Sequence, residues 1–181
     1  LATLDLSGYL LKSDSPSCGM ERVKVYGESG MAAKKGAGLF ARALTERFPL
    51  LPVEEEGRLH DLPLRENFVE RVFCHWRWQR LADSGITRGK LVEFHTAHKL
   101  LLMAHSPHAY QSLGRLVAEA KSVPRAELCQ HYELDFMGAL REMATTKRHT
   151  NVLQHIVGYF SKQLDSDSRQ ELEALLHDYR A

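Results

Sequence analysis

The chain has 181 residues, 24 Lys and Arg against 23 Asp and Glu, and a formal net charge of +1. That balance excludes a bulk electrostatic attraction to nucleic acid or to an anionic membrane and leaves only local basic patches to be sought. With 44% hydrophobic and 26% charged residues the composition is that of a globular protein, and the longest apolar run, Leu100-Leu101-Leu102-Met103-Ala104, is far too short to cross a bilayer.

In chain order, a strand is predicted at about Tyr9 to Lys12, then a loop, Ser15-Pro16-Ser17-Cys18-Gly19, then a second strand over Arg22 to Tyr26. A Gly-rich segment, Gly27 to Gly38, runs into a helix that begins at Leu39-Phe40 and ends at Phe48-Pro49, because proline disfavours helix at the residue before it. Leu51 to Glu56 reads as a short strand ending in an acidic turn. Strand, helix and strand within this span point to part of a parallel α/β layer.

From Leu64 onward the pattern is helical. A first helix covers Leu64 to Ala82 and closes at Ser84-Gly85; Thr87 caps a second that reaches Ala104; Ser106-Pro107 starts a third. Pro124 opens a fourth that reaches about Thr145, with a break near Gly138. A fifth begins at or just before Thr150, and Asp167 caps the last. The expected fold class is thus an α/β N-terminal part followed by an all-α multi-helix domain, with domains 1–85 and 86–181.

Cys18, Cys74 and Cys129 are odd in number and widely spaced, which reads as reduced thiols of a cytoplasmic protein and not as a disulfide framework. Cys18 sits in a turn, where backbone amides can face its sulfur; it is either a reactive or metal-binding thiolate or a small buried thiol. Glu54-Glu55-Glu56 reads as a solvated acidic turn, with a general acid or base at a strand end as the alternative.

His95, His98 and His105, with Lys99 between them, fall on one side of their helix. With no carboxylate on that stripe, they suit a polar, anion-binding face better than a metal site. Arg148, Asn151 and His155 share another helical face beside Lys147, as a buried polar network or as a binding face for phosphate and base edges. Phe73, His75, Trp76 and Trp78 suit interdomain packing, with base stacking as the alternative.

The stretch from Leu11 through Cys18-Gly19 to Arg22-Val23-Lys24-Val25-Tyr26, then Gly36-Ala37-Gly38-Leu39-Phe40 and Pro52 to Leu59, resembles the TudS-type thiouracil desulfurase family. Phe94-His95-Thr96-Ala97-His98-Lys99 through His105-Ser106-Pro107, and Lys147 to His155, resemble a YbgA-type helical domain. The arrangement is similar to RudS-type fusions, which implies an iron–sulfur-dependent desulfurase acting on thiolated uracil nucleotides or on 4-thiouridine in tRNA. The resemblance implies Cys18 as one ligand of a 4Fe-4S cluster and Ser15 as a neighbouring catalytic residue that contacts substrate; the helical domain is then expected to bind the nucleotide or RNA through Lys147, Arg148, Asn151 and His155, with His95, His98 and Lys99 behind them. In the family a thiocarbonyl sulfur meets an open iron while a carboxylate assists water. The family's other two cluster cysteines and its Cys-Pro-Glu carboxylate stand upstream of Cys18 and are not in this sequence. The chain also opens Leu1-Ala2-Thr3 without an initiator Met and stops at Ala181 where such domains continue. The expectation is a protein truncated at both ends. The alternative is a non-enzymatic nucleotide-binding, RNA-binding or interaction module; neither reading places the chain in a membrane.

Overall fold

A computed structural model describes residues 4–26 and 31–180, and they form two compact units, 1–85 and 86–181. The first is a small α/β assembly and the second is all helix. In the first unit β1 (Tyr9–Leu11) and β4 (Val53–Glu55) pair in parallel, with Tyr9 opposite Val53 and Leu11 opposite Glu55. Parallel strands require a crossover. Here it contains the Cys18 loop, a hairpin and helix α1 (Leu39–Arg47). Leu11, Ala41, Leu44, Leu51 and Val53 make the core between strands and helix, and Cys18 and Met20 pack against it from the loop.

The hairpin is β2 (Val23–Tyr26) with β3 (Ala32–Gly36), antiparallel, with a register shift between Val23 and Lys24. The sequence gives no strand signal for β3: Ala32-Ala33-Lys34-Lys35-Gly36 has no β-branched or aromatic residue, so its strand state comes from its partner. Of the Gly-rich segment, residues 27–30 lie outside the described residues.

Helix α2 (Leu62–Asp83) starts two residues before its expected beginning because Asp61 accepts the Leu64 amide at 3.0 Å and Pro63 suits the first turn. Gln79 ties it to the segment before β1, donating to the Leu6 carbonyl at 3.0 Å and accepting from Ser7 Oγ at 2.8 Å. Trp78 of α2 is buried, whereas Phe73 and Trp76 are exposed.

The second unit comprises α3 (Arg88–His105), α4 (Pro107–Ala118), α5 (Arg125–Ala139), α6 (Thr146–Phe160) and α7 (Ser166–Arg180). Side-chain caps set most of the starts: Thr87 receives Lys90 N, Ser106 receives Ala109 N, and Thr145 receives Arg148 N. The last helix is capped by Asp165, whose carboxylate takes the Ser168 amide at 2.7 Å, two residues before the Asp167 expected from sequence. α5 stops at Ala139, close to the break foreseen at Gly138.

Helix α3 is central, touching α4, α5 and α6, while α7 packs on α6. That position explains why α3 is only weakly amphipathic, since it meets neighbours on several sides. Its Phe94 and His98 rings stack at 4.1 Å, and Phe136 of α5 stands edge-on to both, at 5.2 and 5.5 Å. Tyr132 stacks on Phe136 at 5.8 Å, and all four rings are buried. Among the described residues no helix is long and apolar enough to cross a membrane.

Candidate functional site

The Cys18 loop is a closed turn seated on the N-terminus of α1. Ser15 Oγ accepts the amides of Ser17 at 3.3 Å and of Cys18 at 3.1 Å, and the Gly19 amide returns to the Ser15 carbonyl at 2.8 Å. Ser15 therefore shapes the turn that presents Cys18. The Ser17 carbonyl accepts from Phe40 N at 2.9 Å and Ala41 N at 3.1 Å, so it satisfies amides that a helix start leaves without intrahelical partners. This seating requires glycine at 38, where an added Cβ would lie 2.2 Å from the Ser17 oxygen and 2.7 Å from the Cys18 nitrogen. Asp14 and Arg22, on either side of the loop, adopt left-handed backbone angles, φ 55° and 59°. Cys18 is half-buried.

The acidic run at the end of β4 is not the solvated turn its sequence suggests. Glu54 and Glu55 are buried, at 6% and 5% exposure. Glu55 accepts the Met20 amide at 2.6 Å, Glu54 faces Arg58 at 2.7 Å, and Arg58 reaches Glu21 at 2.5 Å. Burial is tolerated because each carboxylate has a donor or a cation drawn from elsewhere in the chain. Glu56 accepts from Lys12 Nζ at 2.5 Å, Ser13 N at 2.8 Å and Ser13 Oγ at 3.0 Å, tying the end of β4 to the end of β1.

The Lys12 hydrogen bond, then the Ser13 amide, holds the Glu56 pKa down from 4.5 to about 2. A carboxylate whose pKa is depressed by folding stabilises the fold above its unfolded pKa, and that contribution is lost as pH falls through the folded one. Melting curves of the native chain and of Glu56→Gln are thus expected to differ most near neutrality and to converge between pH 4.5 and about 2. A constant gap across that range would contradict the assignment.

The three thiols differ in what they can ligate. Cys74 on α2 is buried at 1% exposure, and burial pushes its thiol up to about 11; burial also raises Cys129 on α5. Neither offers a thiolate near neutral pH. A 4Fe-4S cluster of the kind the resemblance implies needs three thiolates, and among the described residues no group of three His, Cys, Asp or Glu could hold a metal ion. The residues present do not by themselves fit the cluster.

In the helical unit the histidine stripe disperses. His98 is buried and its Nδ1 bonds the Phe94 carbonyl at 2.7 Å; His105 is buried and its Nδ1 bonds the Glu142 carbonyl at 2.6 Å. His95 is half-buried, with Nδ1 at 3.1 Å from the Tyr132 hydroxyl. It shares a groove with Lys99, whose ammonium lies 5.8 Å from the centre of the Tyr159 ring.

Along α6, Arg148 turns back to bond the His105 carbonyl and also meets Glu142 at 3.4 Å, bracing the α5–α6 connection against the end of α3. Asn151 Nδ2 points to Met103 Sδ at 3.5 Å, while Lys147 and His155 are exposed. The structure thus brings His95 and Lys99 together and leaves Lys147 and His155 at the surface. The sequence reading missed Gln111, Gly114 and Arg115, which line the same groove as His95; their shared helical face was the available signal.

Residues 1–56 match the 2-thiouracil desulfurase family, and residues 99–181 match DUF1722, a family of unknown function. The chain is 37% identical over 111 residues to the uncharacterized protein YbgA of Escherichia coli (strain K12). That alignment covers 61% of this chain and 66% of the relative, just under two thirds of its length. No solved structure matches. The chain therefore joins a segment of 2-thiouracil desulfurase type to a YbgA-like helical domain.

Proposed function

We propose that the protein carrying this chain removes sulfur from a thiolated uracil, as a free nucleotide or as 4-thiouridine in tRNA, and that Cys18 supplies one thiolate on which the reaction depends. The observation that carries this reading is the desulfurase match over residues 1–56, which contains the Cys18 turn and its seat on α1. A soft thiolate suits iron–sulfur chemistry. Because this chain holds one cysteine at that turn, further ligands would have to come from outside its residues. Ser15 is a positioning residue in this reading, since it holds the Cys18 amide. The helical domain binds the nucleotide or RNA, with Lys147, Asn151, His155, His95 and Lys99 as its candidate residues, whereas His98 is buried in the ring cluster and Arg148 braces the end of α3. Three free thiols suit a reducing, cytoplasmic setting.

The test is anaerobic reconstitution of the protein with iron and sulfide, followed by 4-thiouridine monophosphate and by tRNA containing 4-thiouridine, with the thiocarbonyl absorbance monitored. Loss of absorbance that Cys18→Ser abolishes is the expected result. If neither substrate loses sulfur while iron is bound, the reading fails. A second reading, a nucleotide- or RNA-binding module without chemistry, predicts binding of both substrates and no sulfide release.

A further inference from the structure

We propose that the groove between α3 and α4 is a binding site for a phosphate group, held by His95, Lys99 and Arg115. The groove has a volume of about 440 Å³. His95 and Lys99 reach it from consecutive turns of α3, and Gln111, Gly114 and Arg115 line it from one face of α4. No carboxylate lines it. Among the described residues neither Lys99 nor Arg115 has an acidic partner; Lys99 rests over Tyr159 instead. Cations gathered in one concavity repel each other, and an oxyanion there relieves the repulsion while forming charge-assisted hydrogen bonds.

The imidazole is held for this role. The 3.1 Å hydrogen bond between Nδ1 and the Tyr132 hydroxyl fixes the ring and leaves Nε2 as the nitrogen on the Gly114 side. Nε2 lies against Gly114, where an added Cβ would come within 3.8 Å of it, an ordinary contact. Glycine at this point leaves the ring edge open to a ligand, at the cost of helix propensity in α4. Gln111 and Tyr110 add neutral donors to the same wall. Burial, then Lys99 and His98, hold the His95 pKa below its ordinary value. A bound phosphate opposes that depression. The titratable groups around the ring and along its groove are Lys99 and His98 on α3, Tyr110 and Arg115 on α4, and Tyr132 on α5.

The phosphate can belong to a mononucleotide or to an RNA backbone, and the site stands without any desulfurase activity. The test is binding of inorganic phosphate, uridine 5′-monophosphate and a short uridine oligoribonucleotide without a terminal phosphate, by calorimetry and by the His95 ring resonances. Phosphate binding is expected, with an upward shift of the His95 pKa. Lys99→Gln and Arg115→Gln should each weaken it by about tenfold, the loss of one charge-assisted contact. Gly114→Ala should weaken it while raising the melting temperature, which separates a filled groove from a damaged fold. Competition by phosphate against the monophosphate assigns a nucleotide source; competition against the oligomer assigns the backbone. If none of the three probes binds, or if Lys99→Gln and Arg115→Gln bind as tightly as the native chain, the proposal is overturned.

Discussion

Gly38→Ala is expected to unseat the Cys18 loop and to destabilise the first unit by about 3 kcal/mol, the upper range for overpacking a tight site. An added Cβ would lie 2.2 Å from the Ser17 oxygen, 2.3 Å from the Ser17 carbonyl carbon and 2.7 Å from the Cys18 nitrogen. All three are backbone atoms, so no side-chain rotation relieves the contact; the loop must leave α1. With it go the bonds from Phe40 N and Ala41 N to the Ser17 carbonyl. Amide exchange at Phe40 and Ala41, with thermal melting of the chain, measures the effect. Gly158→Ala is the contrast, because nothing stands within 4 Å of its Cβ and α6 gains helix propensity of about 0.5–1 kcal/mol. Equal melting temperatures for the two variants would show that the loop is not seated as described.

Phe136→Ala should be more damaging still, costing the helical unit about 3–5 kcal/mol, which is the range for deleting a buried phenyl ring. Phe136 is fully buried, and its ring contacts Phe94, His98 and Tyr132, so truncation opens a void beneath the central helix. Domains of this size hold only about 5–15 kcal/mol in all. The loss is read by denaturant unfolding followed through helical ellipticity, with Phe136→Leu as the milder comparison. A change below about 1 kcal/mol in Phe136→Ala would mean that the ring cluster is not the core of this unit.

Local features were legible from the sequence and distant ones were not. Ser106-Pro107 and Thr87 announce helix starts within a few residues of themselves, and the structure places caps at both. The Cys18 turn is likewise a matter of Ser15, Pro16 and Gly19. What seats it, Gly38, lies nineteen positions beyond Gly19, and no local pattern links them. The glutamate run looked solvated because the donor to Glu55 is an amide at Met20, on the far side of the crossover. The histidines of α3 looked like one polar face because helical spacing fixes their relative directions. It does not say which direction faces inward, and three neighbouring helices bury His98 and His105 but leave His95 half open. β3 carries no signal of its own and is a strand only by pairing.

Burial of Cys74 makes this chain its own unfolding clock. A thiol at 1% exposure with a pKa of about 11 cannot be alkylated while α2 is in place. Its labelling rate, resolved by mass from Cys18 and Cys129, therefore reports how often the structure around α2 opens. No mutation or added dye is needed to read it.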